Sequence, residues 1–296
     1  MPSQLANAIP TTGAMPAAPM RTPVPAPSAA LTQDDLRRAR QLTDRIRARF
    51  AQTLVGQSDL REALIATMVA GGHILIESVP GLAKTLTVKT LANCIQGQFK
   101  RIQFTPDLVP ADLVGTRMYN QKTGEFSTTL GPVFTHLLLA DEINRAPAKT
   151  QSALLEVMQE GQVTIEGKTI PLPPPFLVLA TQNPIGSAGT QNLPNSQLDR
   201  FLMRLSMGYP DVGSQVRILR ERSQQEPLEQ VEPVMRREEL IAAIAKVRQV
   251  HVDDQIYDYI ARLAEVTRTH PLLKLGISPR GALALCRTAK ARAFAE

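Results

Sequence analysis

Cysteine is scarce in this sequence. Its 296 residues include two cysteines, Cys94 and Cys286, which stand far apart and belong to no paired metal-ligand spacing. This pattern argues against a disulfide framework or a zinc site, and it favours a reducing cytoplasm as the compartment.

Long apolar runs and long basic runs are lacking as well. No stretch approaches the roughly 18 consecutive apolar residues of a membrane span. The first basic residue is Arg21, and no apolar segment follows a charged start, which argues against a secretory signal. The formal net charge of +6 is not concentrated in one run, whereas proteins that bind nucleic acid usually gather Lys and Arg on one face. We therefore expect a soluble, cytoplasmic protein with no membrane span and no nucleic-acid partner.

Three segments of different character follow one another. Residues 1–30 are rich in Pro and Ala and predict a disordered arm. Residues 31–210 alternate apolar runs with helix-length segments, which predicts an α/β nucleotide-binding domain with a mainly parallel sheet. Residues 211–296 predict an all-helical domain, with a linker near 209–215. The helical pattern still runs at Glu296, which leaves open that this domain is incomplete.

Periodicity predicts the main elements. Five apolar runs predict the strands of the sheet: 73–77, 101–104, 136–142, 176–183 and 201–207. Two hairpins with turns at Thr123-Gly124 and Glu166-Gly167 are expected to project from the sheet. A surface-lying first helix is capped by Thr32 and carries an apolar stripe of Leu31, Leu36, Leu42, Ile46 and Phe50. A later helix repeats the pattern with Leu240, Ile241, Ile244 and Val247.

The stretch "ESVPGLAKT", residues 77–85, nearly matches the phosphate-binding pattern G-x-x-x-x-G-K-[ST] but lacks glycine at Ser78 and Ala83. It follows an apolar strand, passes through Pro80-Gly81 and opens a helix, whose free amides form an anion site. In this setting Lys84 can reach the terminal phosphates of ATP, and the Thr85 hydroxyl can ligate Mg²⁺. The alternative is a Lys-Thr pair on a solvated helix face.

A second candidate is the apolar strand that ends in Asp141 and Glu142. Two carboxylates at the end of a buried strand are costly unless a cation or substrate lies there. Asp141 can hold Mg²⁺ through its water shell, and Glu142 can polarise the water that attacks the γ-phosphate. The alternative is an exposed acidic strand end.

Three more polar residues stand at element ends. Asn183 ends an apolar strand and can orient the attacking water, although Asn-Pro is also a turn former. Arg200 precedes a strand and can stabilise phosphate charge, often in a neighbouring subunit; the alternative is a surface pair with Asp199. Arg280 lies in the first turn of a helix capped by Ser278, where a cation opposes the helix dipole, which suggests a phosphate contact.

These motifs together resemble the MoxR-type AAA+ ATPases. The resemblance covers about 54–281 and rests on "LVGQ", "GGHILIESVPGLAKT", "FTPDLVPADLVG", "GPVFTHLLLADEINRAPAKTQSALLEVMQEGQVTI", "ATQNP", "LPNSQLDRF" and "SPR". It implies a P-loop AAA+ core with two hairpin insertions, a C-terminal all-helical lid domain, and hexameric rings with ATP sites between subunits. It also implies chaperone-type remodelling or maturation of partner proteins, often von Willebrand A domain proteins.

The resemblance assigns a role to each site residue. Gly56 and Gln57 would lie near the adenine, and Asp141 and Glu142 would be the Walker B metal and water residues. Asn183 would be sensor 1, Arg200 the arginine finger and Arg280 sensor 2. The residues that would bind phosphate or Mg²⁺ are Val79, Pro80, Gly81, Leu82, Ala83, Lys84 and Thr85.

Three positions depart from the family's pattern: Ser78, Gly186 and Asn195. If φ at Ser78 were positive, its Cβ would cost roughly 1–2 kcal/mol. ATP binding would then weaken about tenfold without being lost. Gly186 and Asn195 are neutral where the family usually has acidic residues near the expected subunit interface, a difference that bears on contacts or coupling between subunits.

Two other functions remain as alternatives. A nucleotide-binding scaffold with little turnover is favoured by these three departures, and it is opposed by Glu142, which is useful mainly for hydrolysis. A DNA-acting AAA+ motor is suggested by the hairpin insertions and by the basic balance of charge. The hairpin tips "NQKTGE" and "IEGKT" pair each Lys with a Glu and show no aromatic stacking platform in the sequence, which argues against that motor.

Overall fold

The computed structural model describes residues 31–78, 84–121, 124–183, 191, 193–222 and 233–296. The predicted arm, the loop residues 79–83, Thr123 of the first predicted turn and Gly186 therefore lie outside the described residues. Leu31–Glu296 form one compact unit by their contacts. None of the described helices is both long and apolar enough to cross a membrane.

Ten α-helices and nine strands are formed by the described residues. The helices are α1 Gln33–Thr53, α2 Ser58–Ala70, α3 Lys84–Cys94, α4 Pro110–Val114, α5 Ala148–Glu160, α6 Asn195–Leu198, α7 Val212–Arg222, α8 Arg237–Val247, α9 Asp254–Thr269 and α10 Pro279–Ala295. The strands are β1 Ile74–Ser78, β2 Phe99–Gln103, β3 Gly115–Asn120, β4 Glu125–Leu130, β5 Leu137–Asp141, β6 Gln162–Ile165, β7 Lys168–Pro171, β8 Leu177–Gln182 and β9 Met203–Met207.

The central sheet is five-stranded and parallel, in the order β2-β5-β8-β1-β9. This confirms the α/β fold predicted from the alternating pattern. Strands covered on both faces read as continuous apolar runs, and β5 is buried along its whole length. Leu139 packs into the core on one face of the sheet, and Leu138 and Ala140 pack into the core on the other.

The helices divide between these two cores. The first core joins the sheet to α1, α2, α3, α8 and α10, and the second joins it to α4, α5 and the β6–β7 hairpin. Phe294 of α10 and Leu240 of α8 both belong to the first core. The C-terminal helices are thus anchored on the same apolar layer as α1.

The capping of α1 by Thr32 is confirmed, since its hydroxyl accepts from Asp35 N at 3.2 Å. The predicted apolar stripes of α1 and α8 each need one correction. Leu36, however, is 42% exposed, because it lies in the first turn, before the point where α10 reaches α1 through the bond from Thr43 Oγ1 to the Ala295 carbonyl. In α8, Ile241 is likewise exposed, while Leu240, seven residues before Val247, faces the core.

The segment predicted as a linker, 209–215, contains the start of α7 at Val212. Asp211 holds this helix start, because its carboxylate accepts from Ser214 N at 2.9 Å and from Ser214 Oγ at 2.7 Å. Side-chain capping of this kind supplies partners for the free amides of a first turn. The chain therefore passes from β9 to helix within a few residues.

Both predicted hairpins form, β3 with β4 and β6 with β7. The turn of the second has positive φ at Glu166 and Gly167, as a two-residue hairpin turn requires. The first hairpin carries an aromatic pair that the sequence argument missed. The rings of Tyr119 and Phe126 are exposed and 5.0 Å apart, with Arg117 stacked over Phe126 at 4.4 Å. The prediction from the hairpin tips did not include these rings, which meet because Tyr119 and Phe126 are directly paired on the two strands.

His73 ties β1 to its neighbours. Its Nδ1 accepts from Val178 N at 3.1 Å, so its Nε2 carries the proton and donates to the Met158 carbonyl at 3.0 Å. Burial is the main cause that lowers the pKa of His73 to about 4, with the charge of Arg287 adding to it and the bond to Met158 opposing it. The ring is therefore neutral in the folded protein near pH 7.

We expect His73 to make the protein less stable as the pH falls from 7 to 5. The unfolded chain binds a proton at His73 near pH 6.5, while the folded chain stays unprotonated until about pH 4. Stability is lost wherever the unfolded state binds more protons on acidification, here by about 2 kcal/mol at pH 5. Denaturant unfolding at the two pH values measures this loss. His73→Asn should reduce the loss, whereas His251→Asn, at an exposed position, should leave it unchanged; equal losses in all three proteins would contradict the assignment.

Candidate active site

Three neighbouring strands deliver polar residues to one edge of the sheet. β5, β8 and β1 are adjacent and parallel, so their carboxyl ends lie side by side. Asp141 ends β5, Asn183 follows β8, and Lys84 opens α3 after the loop that leaves β1. Lys84 Nζ lies 3.7 Å from Asp141 Oδ1. The structure thus brings the predicted Lys and Asp together at the carboxyl edge.

Asp141 is the most enclosed acidic group of this edge, with 6% of the residue exposed. The Thr181 hydroxyl donates to its Oδ1 at 2.6 Å, and Arg101 Nη2 donates to its Oδ2 at 2.6 Å. Burial works to raise the pKa of Asp141, but the bonds from Thr181 and Arg101 and the charge of Lys84 outweigh burial and hold the pKa below its usual range. Asp141 is therefore a stable carboxylate, ready to bind a cation.

Glu142 follows directly in a left-handed backbone conformation, with φ 56° and ψ 49°. Its amide donates to Thr181 Oγ1 at 2.9 Å, which fixes this turn. Its carboxylate Oε2 accepts from Gln103 Nε2 at 3.0 Å and from Arg145 Nη1 at 2.8 Å. A non-glycine residue in this conformation is strained, and such strain often occurs at functional sites. The Glu142 carboxylate is thus held by the side chains of Gln103 and Arg145.

Hydrogen bonds hold the chain around Asn183, at the end of β8, to Asn144 and to the end of β1. Asn144 Nδ2 donates to the Asn183 carbonyl at 3.3 Å. The preceding residue, Gln182, hydrogen-bonds Glu77 of β1, which also accepts from Arg204 Nη2 at 2.6 Å. These bonds link the two strands that carry the Lys84 loop and Asn183.

Of the other residues predicted to contact the nucleotide, the structure describes Gly56, Gln57 and Thr85. Thr85 is the second residue of α3, at the helix start that faces the carboxyl edge. Gln57 Nε2 donates to the Gly208 carbonyl at 3.3 Å, just beyond the end of β9. Gly56 has φ +74°, and a Cβ there would lie 2.4 Å from Ser214 Oγ, so a side chain does not fit. Val79, Pro80, Gly81, Leu82 and Ala83 lie outside the described residues.

The donor set of this edge suits Mg²⁺ held jointly with a phosphate. Mg²⁺ is usually bound by one or two carboxylates plus substrate oxygens rather than by an all-protein cage. Asp141 and Thr85 supply a carboxylate and a hydroxyl, and the Asp141 carboxylate already attracts the two cations Lys84 and Arg101. Among the described residues there is no cluster of three or more acidic, His or Cys ligands. The site therefore fits a metal that arrives with its nucleotide.

Arg200 and Arg280 lie elsewhere. Both line a cleft of about 420 Å³, together with Gly72 and His73, which immediately precede β1. β1 is five residues long, so the cleft is separated from the Lys84 loop by roughly 16 Å of strand. The structure therefore does not bring these two arginines to the carboxyl edge of their own chain.

A polar contact joins the two sides of this cleft. Ser278 Oγ lies 2.7 Å from each carboxylate oxygen of Asp199, and it also accepts from Gly281 N as the cap of α10. Arg200 directly follows Asp199, and Arg280 lies two residues after Ser278. Among the described residues, no acidic side chain pairs with either arginine. The Nε of Arg200 is buried and has no hydrogen-bond partner. The cleft thus presents two arginines without an ion pair among the described residues, with Arg287 as a third on its wall and Asp199 beside them.

Comparisons with known proteins agree with this layout. Residues 73–203 match the ATPase family associated with various cellular activities (AAA), and residues 265–296 match the AAA lid domain. Chaperone MoxR1 of Mycobacterium tuberculosis is 44% identical over 250 residues, which cover 81% of this chain and 66% of that protein. The uncharacterized protein YeaC of Bacillus subtilis is 48% identical over 243 residues, 82% of this chain and 76% of that protein.

A solved structure shows the same fold. The crystal structure of a candidate ATPase from Cytophaga hutchinsonii is 42% identical, has a TM-score of 0.82, and covers 89% of this chain and 82% of its own. The chain belongs to the MoxR-type AAA+ ATPase family. The helices α9 and α10 contribute to the lid of this family member, and the β3–β4 and β6–β7 hairpins are its insertions.

The family's first loop glycine is replaced here by Ser78, and the backbone tolerates it. Ser78 is the last residue of β1 and pairs with Met207. The non-glycine residues with positive φ among those described are Gln96, Glu142 and Glu166. The strain expected for a Cβ at Ser78 therefore does not arise. Asn195, another departure from the MoxR pattern, is exposed at the start of α6.

Sequence reasoning missed several residues of the MoxR site. Thr181, which bonds both Asp141 and Glu142, appears in the sequence only as a hydroxyl within an apolar strand. Arg101 and Gln103 belong to β2, which was predicted as an apolar run although Ile102 is buried there and Lys100, Arg101 and Gln103 are exposed. The signal available was their place at the end of a strand next to β5. Strand order was needed to use it.

Proposed function

We propose that this MoxR-type ATPase hydrolyses ATP with Mg²⁺ at sites shared between two copies of the chain. The observation that carries the proposal is the division of charged residues between two edges of the sheet. Lys84, Asp141 and Glu142 lie at the carboxyl edge, whereas Arg200 and Arg280 face the cleft before β1. A complete site then needs the carboxyl edge of one copy and the cleft of the next, which leads to a closed ring.

Each residue of the carboxyl edge has a part in this mechanism. Lys84 and the amides at the start of α3 bind the terminal phosphates, and Thr85 and Asp141 hold the metal. When bound, Mg²⁺ neutralises charge on the phosphates. Glu142 leaves Gln103 and Arg145 and accepts a proton from the attacking water, while Asn183 orients that water.

The neighbouring copy supplies the charge that stabilises the transition state. Arg200 has a buried, unpartnered Nε, and an arginine fork suits the oxygens of a transferring phosphoryl group. Arg280 begins α10 and adds a second cation from the lid. Because Ser278 and Asp199 join α10 to the segment before β9, the two arginines are held on one surface.

We further propose a hexameric ring in the cytoplasm that remodels or matures client proteins, with a von Willebrand A domain protein as a partner. The family supports oligomeric assembly, and the name of the Mycobacterium relative supports a chaperone role. Exposed Met118, Tyr119 and Phe126 on the first hairpin offer apolar contacts of the kind that proteins bind.

Removal of Lys84 tests the nucleotide site. Lys84→Ala should weaken ATP binding by about ten- to a hundredfold, because a hydrogen bond to a charged group is lost. Fluorescence anisotropy of a labelled ATP analogue measures this binding. Lys89→Ala, five residues further along α3 and exposed, is the control and should bind as wild type does. Unchanged affinity in Lys84→Ala would refute the site.

Steady-state turnover tests hydrolysis and assembly with the same proteins. The wild-type rate per chain should rise with protein concentration, because each site requires two copies. Bound ATP recovered intact, with no turnover at any concentration, would favour the nucleotide-binding scaffold instead.

A further inference from the structure

Arg101 makes a short contact with the metal-binding carboxylate at the candidate site. Asp141 Oδ1 faces the Thr181 hydroxyl at 2.6 Å and Lys84 Nζ at 3.7 Å. Asp141 Oδ2 faces Arg101 Nη2 at 2.6 Å. One carboxylate oxygen is thus bound by fixed groups of the site, and the other is bound by an arginine from β2.

Arg101 differs from the other two partners in its exposure. Thr181 is fully buried and the Lys84 side chain is 11% exposed, whereas the Arg101 side chain is 47% exposed. Arg101 therefore reaches Asp141 from the solvent side and can leave by rotating its own side chain. Thr181 and Lys84 are enclosed by the site, so they have less room than Arg101 to turn away from Asp141.

A second bond holds Arg101 in this place. Its Nη2 also donates to Gln103 Oε1 at 2.9 Å, and Gln103 Nε2 donates to Glu142 Oε2 at 3.0 Å. Arg145 completes the series on Glu142 at 2.8 Å. Both acidic residues of the site are thus neutralised by an arginine, with Gln103 between them.

We infer that Arg101 is a positioning residue that occupies Oδ2 of Asp141, the carboxylate that would hold Mg²⁺, until Mg²⁺ and nucleotide displace it. The inference rests on the proposed ATP site. A guanidinium and Mg²⁺ compete for the same negative charge, so Arg101 raises the Mg²⁺ concentration that nucleotide binding requires. Its departure also removes the hydrogen bond from Arg101 to Gln103 Oε1.

Binding of a fluorescent ATP analogue over a series of Mg²⁺ concentrations tests the inference without measuring turnover. Arg101→Gln should lower the half-saturating Mg²⁺ concentration about three- to tenfold, the worth of a charge-assisted bond reduced by solvent exposure. Arg101→Lys keeps the charge and should return it toward the wild-type value. Lys100→Gln removes one positive charge from the adjacent, exposed position of β2 and should leave it unchanged.

Three outcomes would overturn the role of Arg101. The half-saturating Mg²⁺ concentration could stay the same or rise in Arg101→Gln, or Arg101→Gln could weaken nucleotide binding equally with Mg²⁺ and with EDTA, which would make Arg101 a phosphate ligand. The half-saturating Mg²⁺ concentration could also shift in Lys100→Gln as much as in Arg101→Gln, which would indicate a general effect of charge. Failure of the proposed function is distinguishable, because wild type would then bind no nucleotide, or Lys84→Ala would bind as well as wild type.

Discussion

Replacing Glu142 by Gln is expected to lower kcat for ATP hydrolysis by about 10²–10⁴-fold, the usual contribution of a general base. The amide keeps the size of the side chain and cannot accept the proton of the attacking water. ATP binding should remain, because the phosphate contacts come from Lys84 and the start of α3. Single-turnover hydrolysis and equilibrium binding of the same ATP analogue separate the two effects.

The control for this prediction is Glu160→Gln. Glu160 is exposed at the end of α5, so its neutralisation changes the net charge equally without altering the site. It should hydrolyse ATP as wild type does. If Glu142→Gln retained wild-type kcat, another group would have to activate the water, and the assignment of Glu142 as base would be lost.

Removal of Arg200 is expected to reduce kcat by about 10³–10⁵-fold, the range measured for arginines that act on a transferring phosphoryl group. ATP binding should change little, since Arg200 lies at the cleft before β1 and not at the carboxyl edge of its own chain. Arg262→Ala is the matched control, because Arg262 pairs with Asp258 on the exposed surface of α9.

Mixing two inactive variants tests whether Arg200 acts on a neighbouring copy. Lys84→Ala lacks its own nucleotide site but still offers Arg200, and Arg200→Ala has the opposite defect. In mixed rings at equal ratio, about one quarter of the interfaces combine an intact carboxyl edge with an intact cleft. Turnover should therefore reappear on mixing. A mixture no more active than its two components would place Arg200 within its own site or outside catalysis.

Much of the carboxyl edge could be predicted from local sequence. The apolar strands that end in Asp141 and Asn183 are strong signals, because a buried strand tolerates a polar end only where that end meets solvent or a ligand. Parallel strands then bring those ends together. The position of Lys84 at a helix start after β1 follows from the same alternation.

The partners of these residues could not be predicted in the same way. Arg101 and Thr181 reach Asp141 only because β2 and β8 are the two neighbours of β5, and strand order is not a local property of the chain. The separation of Arg280 from Lys84 was also hidden, since it depends on which end of β1 the start of α10 lies beside. Leu36 shows the same limit on a smaller scale: helical periodicity gives the direction of a side chain but not where the covering helix ends.

The placement of the two half-sites at opposite ends of β1 has a genetic consequence. If the sites are shared between copies as proposed, a chain that lacks both Lys84 and Arg200 would inactivate its own site and that of its neighbour, so one defective copy would remove two sites from a ring. When normal and defective chains assemble at random, the intact fraction of sites falls as the square of the normal fraction. When both alleles are expressed equally, about one quarter of the sites would remain intact.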